Sequence, residues 1–290
     1  MPSALTPGAH AITVDGVGQR YHVHGAGPVC VVHPGGPGVG WEYLRLPGLE
    51  RSNTMVYVEP VGTGRSGRLA AADRYTLARY ATHLRAVVDA VGGREVALLG
   101  HGHGGSVLQQ YISTWPGSVR ALVLMCATAV VDEELIREAE DNLARFTEQQ
   151  AHHHREAADV PAAFLDMLTA TDDHTLTYAL RRLFPAYFRD YWGSSYASLF
   201  KLRSALTAWA GPTSRGGVER TDFRDHLTRA GTPALIIAGT WDPIISPRWS
   251  RALEVSLPDS RLVPFPGSAH MPHLEEPETF HRLVTEFLVR

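Results

Sequence analysis

Two cysteines, no marked excess of either charge and no long apolar run set the outer limits for this 290-residue chain. Cys30 in "PVCVV" and Cys126 in "LVLMCAT" both lie in apolar runs that read as strands. They are expected as reduced core thiols, which argues against a disulfide framework and for a cytoplasmic setting. Twenty-seven basic residues stand against 30 acidic ones, a balance that gives no field to draw in nucleic acid or an anionic membrane. No stretch approaches the roughly 20 apolar residues that span a bilayer, and the opening MPSALTPGAHAITVDG lacks the basic-then-apolar order of a secretory signal. The expected partner is a small molecule.

What is present is strand and helix in alternation. Short β-branched runs recur near 10–14, 21–25, 29–33, 54–59, 95–100, 120–126, 233–239 and 261–265, and between the later ones lie helical patterns such as "TLARYATHLRAVVDAVG" and "PETFHRLVTEFLV". The pattern predicts an α/β fold: a mostly parallel twisted sheet with an antiparallel edge and helices on both faces. From about Val131 to Gly211 the text is helical and charged, with no convincing strand. It reads as a cap over 131–211, inserted into a core made of 1–130 and 212–290. Because it leaves from a strand's carboxyl end, it is expected to roof the crevice where such sheets bind ligands.

The chemistry is concentrated in "ALLGHGHGGSVL". Gly100-His101-Gly102-His103-Gly104 matches the nucleophile elbow G-x-S-x-G except at its centre, where Gly102 takes the place of serine. A strand ending in Asp242 follows much later, and the loop after the next strand carries His270; elbow, acid, histidine is the order of a hydrolase triad. Near the front, "VVHPGGPG" puts Gly35 and Gly36 in a tight turn, where a backbone N–H is expected to complete an oxyanion hole with that of His103.

On these residues the chain resembles the α/β-hydrolase fold superfamily, and within it the proline-iminopeptidase-like branch. The turn Gly35-Gly36-Pro37-Gly38, "EPVGTGRS", "GTWDPIISP", "GSAHMPHLEEPE" and the cap text "LFPAYFRDYW" carry the likeness. The resemblance implies a hydrolase of esters, lactones or N-terminal peptide bonds that needs no metal or organic cofactor. It makes Asp242 the triad acid, His270 the base, Gly36 and His103 the oxyanion donors, and Gly102 the nucleophile position. Pro34 replaces the usual histidine of the turn, and Glu59-Pro60-Val61 replaces Asp-Gln-Arg.

Three explanations of the glycine are open: a serine hydrolase disabled at one position, a natural enzyme using His270 and Asp242 as a general base, or a binding protein. Ser106, one helical turn on, is expected to pack against the sheet. His101 and His103 diverge from a sharp turn and are read as pocket-lining or supporting groups. His152-His153-His154 is read as a solvated helix face, since consecutive helical residues cannot close on one ion. His273 is expected to order the His270 loop, and Glu59 to be structural. Gly35, Tyr187, Tyr191, Trp192 and Trp241 are expected to line an apolar pocket. Glu133, Glu134, Glu138 and Glu140 are available to bind a substrate amine but read as a solvated helix.

Overall fold

In the computed structural model, which describes residues 3–70, 75–211 and 219–289, the first strands are joined by a two-residue turn. Asp15 and Gly16 both adopt positive φ, 49° and 80°, as Asp-Gly hairpin turns favour. They fold β1 (Gly8–Val14) onto β2 (Val17–Gly25) with Val14 opposite Val17. Next come β3 (Val29–His33), β4 (Thr54–Glu59), α1 (Leu77–Val91), β5 (Ala97–His101), α2 (His103–Thr114) and β6 (Ala121–Met125). A largely helical segment follows: β7 (Val130–Val131), α3 (Glu133–Gln150), α4 (Val160–Thr169), α5 (Asp173–Leu183), α6 (Tyr196–Ala205), β8 (Thr221–Asp222) and α7 (Arg224–Leu227). The chain closes with β9 (Ala234–Gly239), α8 (Pro247–Ser256), β10 (Ser260–Phe265), α9 (Pro272–Glu275) and α10 (Pro277–Leu288).

The sheet has eight strands in the order β1-β2-β4-β3-β5-β6-β9-β10. The β1–β2 and β2–β4 pairs are antiparallel, and all the others are parallel. Successive side chains point to opposite faces. Val31, Leu98, Leu122 and Ile236 therefore pack with α1, α2 and α8, whereas Val32, Leu99, Val123 and Ile237 pack with α10. Burying each such side chain contributes about 1.5–3 kcal/mol, which is why the central strands read as unbroken apolar runs. Cys30 and Cys126 are free and buried; burial pushes the Cys30 thiol up to about 12 and raises that of Cys126 as well.

The stretch expected to lack strands contributes to a small one. Val130–Val131 pairs antiparallel with Thr221–Asp222, two residues on each side, too few to show a period. Asp132 and Asp172 cap α3 and α5 through their side chains, the role such residues favour. An isolated bridge joins Val39 to Ala208, tying the helical segment to the loop after β3. The expected cap boundary at 211/212 adjoins residues 212–218, which lie outside the described residues. No helix among the described residues is long and apolar enough to cross a membrane.

Candidate active site

Strand β5 ends against β6, and the chain turns sharply at Gly102, whose φ of 51° and ψ of −116° lie outside the helical region. The Gly102 N–H donates to Met125 O at 3.0 Å, and α2 begins at the next residue. Close packing requires the flanking glycines. A Cβ at Gly104 would lie 2.4 Å from His33 O and 2.5 Å from Pro34 O, and one at Gly100 would lie 2.7 Å from Gly104 C. Gly102 differs: the nearest atom to a Cβ there is His270 Nε2 at 3.6 Å, an ordinary contact.

His270 Nδ1 and Asp242 Oδ2 are 2.7 Å apart. The other oxygen of Asp242 accepts the N–H groups of Ile244 at 2.9 Å and Ile245 at 3.0 Å, so this carboxylate caps a turn and orients the imidazole together. Because Nδ1 donates to the carboxylate, the Nε2 lone pair is left facing Gly102. No protein group among the described residues bonds Nε2.

The turn after β3 lies against the elbow. Gly36 has a φ of 139°, and neither its N–H nor that of His103, the first residue of α2, has a protein acceptor among the described residues. Both residues line one cavity with Gly35, Gly102 and His270. Tyr43 fixes the turn: the Gly35 N–H donates to its hydroxyl at 2.7 Å, the hydroxyl bonds His101 Nδ1 at 2.6 Å, and His101 Nε2 bonds His270 O at 2.9 Å. Burial, together with the neighbouring His270 and His273, keeps the His101 ring well below its ordinary 6.5 and therefore neutral. The sequence offered no sign of this relay, since Tyr43 lies 58 positions from His101. Tyr43→Phe is expected to cost about 1–2 kcal/mol, read as a lower urea midpoint.

His101, Cys126 and His270 bring potential ligand atoms within 4.8 Å of one another. Both nitrogens of His101 and one of His270 are engaged in the bonds above, and the raised Cys126 thiol holds its proton, whereas metals take thiolate and free imidazole nitrogen. The cluster is thus a hydrogen-bonded support for the His270 loop. His273 adds to it through Tyr43 O at 3.2 Å. So does Glu275, whose oxygens accept the N–H groups of Arg189 at 2.7 Å and Ala269 at 2.8 Å. The His270 N–H itself donates to Tyr187 O at 2.9 Å.

The cavity, about 210 Å³, opens above these groups. Of the five residues named above for an apolar pocket, Gly35 and Tyr187 are among those lining this cavity, and Tyr191, Trp192 and Trp241 are not. Tyr191 is buried with Phe184, Phe188 and Leu199. Trp192 stacks on His154 at 3.9 Å between centroids and donates to Glu156 at 2.8 Å. Trp241 is 56% exposed, with Arg189 over its ring and its indole N–H on Pro266 O. Each has its partners within its own neighbourhood, and a helical spacing cannot tell a cavity-facing ring from one that packs on the next helix. Ser106, expected against the sheet, is buried and contributes to the cavity wall. His152–His154 follow the end of α3 and form no helix face. Glu59 accepts the Arg65 and Ser66 N–H groups and bonds His22 at 2.8 Å, holding its turn.

Besides His101, four enclosed histidines are kept far below the ordinary 6.5 by burial, His33, His83 and His273 at about 4 and His103 at about 3. Between about pH 4.5 and 6.5 the unfolded chain protonates these rings and the folded chain does not. Stability therefore falls as pH falls, by up to about 1.4 kcal/mol per pH unit for each ring. Burial raises Glu275 from 4.5 to about 7, which acts in the opposite sense over that window because the folded state keeps a proton that the unfolded state loses. Four rings outweigh one carboxyl. The urea midpoint is expected to drop markedly between about pH 7 and pH 5, and a constant or rising midpoint contradicts this assignment.

The family model for the alpha/beta hydrolase fold matches residues 28–277. A proline iminopeptidase of Heyndrickxia coagulans is 24% identical over 283 residues, covering 93% of this chain and 93% of its own. A 2-hydroxy-6-oxo-2,4-heptadienoate hydrolase of Pseudomonas putida is 28% identical over 281 residues, 96% of this chain and 95% of that one. The solved structure of an esterase from Rhodococcus sp. ECU1013 superposes with a TM-score of 0.75 at 21% identity, covering 96% of this chain and 97% of the other; at that identity the likeness speaks for the fold alone.

Proposed function

The chain belongs to the alpha/beta hydrolase fold family, and from that premise we propose that it binds a small carbonyl compound of the ester, lactone or amide class but lacks the covalent step of a serine hydrolase. The substrate carbonyl accepts hydrogen bonds from the Gly36 and His103 N–H groups, His270 and Asp242 form the acid–base pair, and the helical segment 131–211 caps the site. One observation carries this reading: His270, bonded to Asp242 at 2.7 Å, aims an unpartnered Nε2 at a residue without a side chain, with Nε2 3.6 Å from where a Cβ would stand. Acyl transfer in this fold begins with a hydroxyl that gives its proton to that nitrogen. Without it, hydrolysis through an acyl-enzyme is poor or absent. The buried free thiols support a reducing, cytoplasmic location. The direct test is Gly102→Ser assayed on activated esters, taken up in the Discussion.

A second reading rests on the same nitrogen. Nε2 opens onto the cavity rather than onto another protein group, so it is placed to take a proton from the substrate or from a water beside Gly102. That chemistry is a lyase, cyclase or direct water attack. His270→Ala in the Gly102 chain then abolishes conversion of the native substrate; a pure binding protein retains its ligand affinity after the same change.

A further inference from the structure

The wall of the cavity above Gly102 contains no carboxylate, lysine or arginine among the described residues. Leu135 and Ile136 of α3, Phe164 of α4, and Leu176 and Leu180 of α5 form its upper part. Polar groups gather at the Gly102 end, where His101 and His103 are held neutral by burial. The acids that a cationic ligand needs are engaged elsewhere. Glu133 pairs with Arg220 at 2.9 Å and Glu134 with Arg248 at 2.7 Å, while Glu138 takes Ser246, Arg248 and Trp249. Neither these nor Glu140 lines the cavity. Asp242 and Glu275 lie behind the His270 loop, occupied by the bonds described above.

An ammonium entering such a space loses its hydration and meets no carboxylate in the wall among the described residues, which disfavours its binding or forces the amine to give up its proton. A neutral acyl group instead gains from burial. The volume, about 210 Å³, exceeds the roughly 150 Å³ that holds benzene in an apolar protein cavity, so a short aliphatic or single-ring acyl group fits. We propose that this cavity selects neutral carbonyl compounds with a small aliphatic or cyclic acyl group and excludes those bearing a free ammonium, so that the chain is not an aminopeptidase despite its likeness to proline iminopeptidases. The inference rests on the reading that the substrate carbonyl lies at Gly102.

A matched pair of ligands isolates the charge. Methyl cyclopentanecarboxylate and proline methyl ester have the same size and outline, and only the second carries an ammonium near neutral pH. Ligand-observed NMR titration of the unaltered chain is expected to show the neutral ester binding at least about tenfold more tightly at pH 6, where about 99% of the amine is charged, with the gap closing as pH rises past the amine pKa near 8. A smaller gap, or one that persists once the amine is neutral, overturns the proposal. Hydrolysis of the corresponding 4-nitrophenyl esters by Gly102→Ser separates this proposal from the functional reading. Faster cleavage of the prolyl ester overturns the selectivity and leaves the site assignment intact. Binding of the neutral ester with the predicted gap but no cleavage of either ester overturns the site assignment and supports the selectivity.

Discussion

Gly102→Ser is expected to raise hydrolysis of a short-chain 4-nitrophenyl ester on the order of 10⁴-fold or more over the unaltered chain, with a burst of nitrophenol matching the enzyme concentration. Removing the nucleophile from another serine hydrolase lowers turnover by about 10⁶, and the reverse change recovers part of that range because the other groups are already placed. The new Cβ meets nothing closer than His270 Nε2 at 3.6 Å, so the hydroxyl beyond it comes within hydrogen-bond reach of the imidazole. Its conformational cost is modest against that gain: a φ of 51° on a residue with a side chain costs about 1–3 kcal/mol. A folded serine variant that shows neither burst nor turnover would remove the basis for treating residue 102 as the nucleophile position.

In that serine form, Asp242→Asn is expected to cut kcat by about 10⁴, as the equivalent change does in another hydrolase by forcing the wrong imidazole tautomer. The structure separates this effect from unfolding. Oδ1 of Asp242 holds the Ile244 and Ile245 N–H groups, and Oδ2 alone meets His270; an amide oxygen can keep the first pair while its NH₂ faces Nδ1. The urea midpoint should therefore move little while kcat collapses. A loss of activity below about tenfold contradicts the role given to this carboxylate.

The sheet and elbow were legible because their signals are local. An apolar β-branched run, a glycine turn and an amphipathic helix occur in sequence at 97–114, and the β9 and β10 runs lead directly to Asp242 and His270. Side-chain direction was less legible. Tyr191, Trp192 and Trp241 have the composition of a binding wall, yet each finds its contacts among the helices of the 131–211 segment or on the surface, and the buried Ser106 is among the residues that line the cavity. The two-residue pairing of Val130–Val131 with Thr221–Asp222 brings together residues about 90 positions apart, without a run long enough to announce either strand. The Tyr43–His101 link is the same kind of case, a long-range contact between residues common at many structural positions.

The bonds that hold the helical segment to the His270 loop bear on how a ligand arrives. The Tyr187 carbonyl receives the amide of His270, and the Arg189 amide reaches the carboxylate of Glu275. A ligand that displaced residues 187–189 on entering would remove the backbone acceptor of the His270 N–H.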